Sequence, residues 1–215
     1  MGSAEIDATQ QVRNGKLTTK GRRTKASLLL AARAAFEELG YLDTRIVDIV
    51  SRADLGQGSF YTYWNSKEEA FSELVVGLHE ALRGPRIDPD PDPVRSIHHA
   101  NRRYVTTYRN NAKLMAAWEQ VCSCDPDFTR LKTSFREASV HRVADFIGKL
   151  QRAGQADVHL DATCAAKALI SMTNHAIYVA ASLGEEDDEG IDRLTDQLDQ
   201  TWIYALGLHQ SHVGS

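Results

Sequence analysis

Thr44 to Lys67 reads TRIVDIVSRADLGQGSFYTYWNSK, and this stretch decides the fold of the chain. Ile46, Ile49 and Val50 recur at spacings of three and four, which places them on one face of a short helix. Thr44, just ahead of them, offers a side-chain oxygen to the orphan N–H groups at the helix start. Ala53-Asp54-Leu55-Gly56 then breaks the pattern. Asp54 tolerates left-handed geometry better than most residues, and Leu55 supplies an apolar plug between two helices. Beyond the break Phe60 and Trp64 lie one turn apart and face inward. Gln57, Gly58, Ser59, Tyr61, Thr62 and Tyr63 remain on the other side of a second short helix. Two helices joined by a tight turn, the second carrying hydroxyls, an amide and phenols outward, make a helix-turn-helix over residues 45–64. The second helix of that motif enters the DNA major groove.

The flanks extend an all-α pattern with no alternating strand. Residues 23–39 form a helix whose inner face is Leu28, Ala32, Ala35, Phe36 and Leu39. Ser66 with Glu69 three residues later is a capping-box pattern, and it opens a helix from Lys67 to about Leu82 with Ala70, Phe71, Leu74, Val75 and Leu78 inward. Four of the chain's five prolines fall between Gly84 and Pro93, so that segment is an extended loop. The rest reads as helices over 94–110, 112–122, 126–153, 161–183 and 191–208, separated by Asn, Gly, Pro and acidic breaks.

With these residues in place, the N-terminal quarter, residues 22 to 75, resembles the DNA-binding domain of the tetracycline-repressor (TetR) family of bacterial regulators. Ala35-Phe36, Gly40-Tyr41, Thr44-x-x-x-Asp48-Ile49 and Gly58-Ser59-Phe60-Tyr61-x-Tyr63-Trp64-x-Ser66-Lys67-Glu68-Glu69 carry the likeness. Three positions depart from the family's usual pattern: Asp54 stands where glycine is common, Gly56 where Ser or Thr often caps, and Val47 where many members have a basic residue. The resemblance implies an N-terminal three-helix DNA-binding domain over 22–82, preceded by a basic arm over 1–21, and a larger helical ligand-binding and dimerisation domain over 94–209. It implies that Gln57 and Ser59, with Thr62, meet bases, and that Gly58 belongs to the same DNA-binding surface. Tyr61, Tyr63 and Lys67 then hold phosphates, helped by Thr44, Arg45, Arg22 and Arg23. It also implies a homodimer through the last two helices, about 161–183 and 191–208, bound to a double-stranded operator as a repressor that a small molecule releases.

Charge distribution agrees with that reading. The formal net charge is −4, yet seven basic residues and no acidic one lie between Ala8 and Phe36, while eight acidic residues lie between Glu185 and Gln200. Such a chain presents a basic end to phosphates while its far end stays acidic. The segment holding Lys16, Lys20, Arg22, Arg23 and Lys25 is expected to be mobile until DNA binds. No apolar run reaches the roughly 18 to 20 residues of a membrane span, and the polar start lacks a secretory core, so a cytoplasmic protein is expected. Cys122, Cys124 and Cys164 are too few and too badly spaced for a structural disulfide framework or a zinc site. Their reading as free thiols leaves a redox switch through Cys122 and Cys124 as an alternative.

For the body, the helix at 161–183 is apolar on most sides and needs cover on several faces. Tyr104, Tyr108, Met115, Trp118, Met172, Asn174 and His175 are the candidate lining of a largely apolar effector site, with His175 and Asn174 expected inside an apolar helix. No Gly-rich nucleotide loop, P-loop or Gly-x-Ser-x-Gly elbow is present. The histidines fall outside His-x-x-x-His spacing, so neither an enzyme nor a metal or other cofactor is expected. The rival reading is an all-helical interaction protein without DNA binding.

Overall fold

A computed structural model describes residues 17–84, 92–182 and 187–208. The described residues form nine helices and no strand: α1 Thr19–Asp43, α2 Ile46–Arg52, α3 Gln57–Tyr61, α4 Lys67–Arg83, α5 Pro93–Arg109, α6 Ala112–Cys122, α7 Pro126–Arg152, α8 Ala162–Ser182 and α9 Asp188–Ala205. None of them is long and apolar enough to cross a membrane. Residues 1–16 of the expected arm and 85–91 of the proline-rich loop lie outside the described residues.

The contacts divide the chain into two compact units, and the division differs from the boundary expected at 94. Residues up to Glu80 group with Asn111–Thr133, and Ala81–Asn110 groups with Ser134 onward. The continuous helices α4 and α7 each contribute to both units.

In the first unit, Leu28, Ala32, Ala35 and Phe36 of α1 are fully buried, as their spacing requires. Leu39, expected beside them, is 37 % exposed, and Tyr41 is buried in its stead. The reason is local: Gly40 has φ +77°, a left-handed geometry that breaks the helical path and turns the next side chain inward. Tyr41 there stacks near Phe36, Phe71 and Phe128. Helix α6 packs along α1. Gln120 Oε1 accepts the Tyr41 N–H at 2.8 Å, and Arg33 donates to Asn111 Oδ1 at 2.8 Å.

The second unit packs α9 on α5 and α8. Its core gathers Ile97, Val140, Ile147, Leu150, Leu169 and Trp202, all at most 8 % exposed. Trp202 donates its indole N–H to Thr173 Oγ1 at 3.1 Å, which ties α9 to α8. Asp199, also buried, accepts from Asn101 at 2.8 Å and lies 2.6 Å from His98 Nδ1, which ties α9 to α5. Pro93 opens α5 behind the Asp92 cap, and Asp187 caps α9 by accepting the Gly190 N–H.

Candidate nucleic-acid interface

The turn of the helix-turn-helix is built by Asp54, the one non-glycine residue with positive φ (54°) among the described residues. The Leu55 N–H reaches back to Val50 O at 2.9 Å and closes it. Phe60 and Trp64 are completely buried below α3, with ring centroids 5.3 Å apart. Trp64 is held further by its indole N–H donating to Glu73 at 2.9 Å, and Lys25 bridges to the same carboxylate at 2.8 Å. A five-residue helix has too few internal hydrogen bonds to persist alone. These two anchors and the tie to Glu73 fix its orientation.

What this arrangement presents outward is Gln57, Gly58, Tyr61 and Thr62, all exposed, with Ser59 half-buried beside them. A Cβ added at Gly56 or Gly58 would meet nothing within 4 Å, so the first turn of α3 is bare backbone with room for close approach. Tyr63 is half-buried and donates its hydroxyl to Gly21 O at 3.0 Å, bracing α3 against the start of α1.

Several residues expected at the phosphates are otherwise engaged. Thr44 is 1 % exposed, and its hydroxyl donates to Gly40 O at 2.6 Å, so it does not cap α2. The N-cap is Arg45, and Asp48 at the third helical position accepts its backbone N–H at 2.9 Å. The Arg45 guanidinium also grips Asp48 through two bonds of 3.1 Å. That pairing holds the Asp48 carboxyl below the usual range.

Lys67 departs most from the sequence reading. Its ammonium donates to three backbone carbonyls, Tyr41 O at 2.9 Å, Leu42 O at 3.2 Å and Thr44 O at 2.9 Å, and it stands 4.6 Å from the Tyr41 ring. An ammonium has three N–H donors, and all three are taken. The cation therefore closes the C-terminal carbonyls of α1, where the helix dipole favours positive charge.

The capping box at Ser66 is shifted by one residue. Ser66 Oγ accepts the Glu69 N–H at 3.4 Å, but Glu69 reaches back to Asn65 N at 2.9 Å rather than to Ser66.

The basic segment ahead of α1 is helical earlier than the periodicity suggested. Thr18 caps it by accepting the Gly21 N–H at 3.1 Å, so Lys20 to Lys25 already lie on the helix. Arg22 and Arg23 are exposed there, and Arg22 donates to Leu17 O at 2.8 Å. Lys16 lies outside the described residues.

The candidate effector residues are shared between the two units. Met115 and Trp118 are buried in the first unit. Tyr104, Tyr108, Met172, Asn174 and His175 belong to the second unit, where Tyr104 donates its hydroxyl to Asn174 Oδ1 at 2.8 Å. Burial pushes the Tyr104 phenol well above its ordinary range, with the neighbouring Tyr108 adding to the shift. Asn174 and His175, expected inside, are exposed, and His175 stacks on Tyr178. Helix α8 buries Ala166, Leu169, Thr173 and Ile177 along one face, and His175 falls on the other. An apolar-all-round composition does not reveal which face its own chain covers. Burial raises the Cys122 thiol above its usual range, which disfavours the reactive thiolate a redox switch needs. No local signal in the sequence points to the Lys67 clamp or to the Gln120 contact, because they join residues 23 to 79 positions apart.

Comparison with known proteins agrees with this architecture. A family profile for bacterial regulatory proteins of the tetR family matches residues 28–74, and one for the C-terminal domain of the transcriptional regulator EthR matches residues 97–206. The chain is 37 % identical to the HTH-type transcriptional regulator YdgC of Bacillus subtilis over 67 residues, 31 % of this chain and 34 % of YdgC. It is 29 % identical over 79 residues to the HTH-type transcriptional regulator TtgR of Pseudomonas putida, 35 % of this chain and 38 % of TtgR. These matches therefore span little more than a third of either relative. The fold continues further: the structure of SmeT in complex with triclosan superposes with a TM-score of 0.74 at 18 % identity, covering 88 % of this chain and 93 % of SmeT. Salmonella enterica GusR gives 0.72 at 18 % identity, covering 89 % and 99 %.

Proposed function

This chain belongs to the TetR family of bacterial transcriptional regulators, and from that premise we propose that it is a homodimeric repressor released from its operator by a small molecule with a largely apolar body. The single observation that carries the DNA-binding half is α3. Its polar side chains Gln57, Ser59, Tyr61 and Thr62 and its bare first turn face outward, while Phe60 and Trp64 lock it from below. Gln57 and Ser59 are the proposed base readers. Tyr61, Arg22 and Arg23 are the proposed phosphate contacts, since they are exposed, whereas the Lys67 ammonium is occupied inside. Two such heads on a dimer meet successive major grooves of a two-fold symmetric site.

The effector half rests on the EthR-type profile over 97–206 and on the triclosan complex of SmeT, a protein of the same fold. Effector bound in the body changes the spacing of the two reading heads, so both half-sites are no longer held together and affinity falls.

A mobility-shift titration on the DNA upstream of the chain's own gene tests the reading. We expect a specific complex whose affinity drops steeply when either half-site is scrambled, and binding no tighter than to unrelated DNA of equal length would defeat it.

A further inference from the structure

Helix α4 ends at Arg83, and Gly84 follows with φ +60°. Two guanidinium groups from other helices converge on this end. Arg103 Nη2 of α5 lies 3.2 Å from Arg83 O, and Arg142 Nη1 of α7 lies 2.7 Å from the same oxygen. Arg103 is pressed onto the backbone, since a Cβ at Gly84 would stand 2.3 Å from its Nε. Arg83, Arg103 and Arg142 thus bring three positive charges together at one carbonyl. Among the described residues none of them pairs with a carboxylate, whereas neighbouring Arg102 and Arg109 pair with Asp192 and Asp188.

The Nε–H of Arg103 is buried and, among the described residues, donates to nothing. Arg142 feels the crowding: burial first, then the charges of Arg83 and Arg103, pull its pKa below the usual guanidinium range. An open depression of about 300 Å³, lined by His99, Arg102, Arg103, Thr106 and Thr107, adjoins the cluster through Arg103.

A neutral carbonyl satisfies one N–H of each guanidinium, and among the described residues no carboxylate offsets the like charges at this half-buried place. Planar guanidinium forks are matched by oxyanions, which accept paired N–H bonds and cancel the charge. We propose that Arg103 and Arg142, with Arg83 beside them, form a binding site for the oxyanion head group, carboxylate or phosphate, of the effector. The proposal rests on the regulator reading above and deepens it: the effector is an amphipathic acid rather than a neutral apolar molecule. An oxyanion seated there draws Arg103 and Arg142 away from Arg83 O, so head-group binding loosens the last turn of α4, the helix that begins at Lys67.

The test uses the full chain and three probes of equal tail length, octanoate, octyl phosphate and 1-octanol, with binding followed by calorimetry. We expect the better of the two acids to bind at least tenfold tighter than the alcohol. Preference for octyl phosphate assigns a phosphoester and preference for octanoate a carboxylic acid. In Arg103→Gln/Arg142→Gln the advantage over octanol disappears, while the melting temperature and operator affinity of the free protein stay near their original values. If the double variant is poorly folded, Arg142→Lys, which keeps the charge but loses the fork, is expected to cut the advantage at least threefold. Octanol binding as tightly as the acids, or an advantage that survives in a folded variant, overturns the site. Operator binding measured in parallel separates the two conclusions. Operator binding without acid preference removes only this site, and acid preference without operator binding removes only the regulator reading.

Discussion

Lys67 shows how packing can engage a side chain for which its neighbours in sequence suggest another partner. A lysine at the start of a helix that follows a recognition helix is well placed for a phosphate, but here its three N–H donors end on Tyr41 O, Leu42 O and Thr44 O. Charge-assisted hydrogen bonds of this kind contribute about 1.5 to 3 kcal/mol when one partner is lost. Lys67→Ala is therefore expected to lower unfolding stability by about 2 kcal/mol or more in urea titration. A melting curve like that of the original chain, together with a salt slope of DNA binding reduced by about one, would return Lys67 to the phosphates.

Tyr41, beneath that ammonium, gives a second test. Burial first, and then the Glu68 carboxylate 3.0 Å from its hydroxyl, hold its pKa well above the ordinary phenol range. A raised folded pKa favours the neutral form, so its contribution is complete below the unfolded value of about 10 and is lost as pH rises above it. Between pH 10 and 11 the original chain should lose stability faster than Tyr41→Phe, by up to about 1.4 kcal/mol per pH unit. Parallel alkaline stability curves for the two proteins would remove Tyr41 as the cause.

At the scale of elements, the recognition helix and its turn followed from the residues themselves. The spacing of Phe60 and Trp64 set the buried face, and Asp54 took the left-handed geometry its short polar side chain tolerates. Gln57→Ala should therefore relax base preference at one position of each half-site by about 1–3 kcal/mol, leaving unfolding unchanged. An operator library that shows uniform weakening instead would make Gln57 a backbone contact.

The end of α1 was not legible in the same way. A helical period carried through Leu39, whereas Gly40 breaks the helix and Gln120, 79 positions after Tyr41, receives the freed N–H. No local pattern announces a partner at that separation, because the choice is made by packing of α6 on α1. Gly40→Ala places a Cβ 3.0 Å from Gln120 Oε1 in a left-handed backbone, and it should cost about 1–2 kcal/mol. Gly56→Ala, with open space around its Cβ and a β-region φ of −80°, should cost much less, and equal losses at the two sites would show that the conformation of Gly40 is not the reason.

For the whole molecule, Ile191, Leu198, Trp202 and Leu206 at α9 are buried inside their own unit, where α9 packs on α5 and α8. What the last two helices leave outward is a different set: Tyr178 is 54 %, Val179 38 % and Tyr204 82 % exposed, and His175 stacks on Tyr178. Exposed large apolar and aromatic side chains are the kind that protein interfaces cover, and Tyr is enriched there. A self-complementary pairing through α8 and α9 would bury such side chains twice over in one two-fold contact.

The proposed dimer therefore predicts that Tyr178→Glu, a change on an exposed face, lowers the sedimenting mass toward one chain at micromolar concentration without lowering helical content. Operator affinity should then fall by at least a hundredfold, because linking two half-site contacts multiplies their separate affinities by an effective concentration the monomer lacks. A variant that stays dimeric would place the interface elsewhere. A variant that is monomeric yet binds the full operator as tightly as before would show that two linked reading heads are not what holds this protein on DNA.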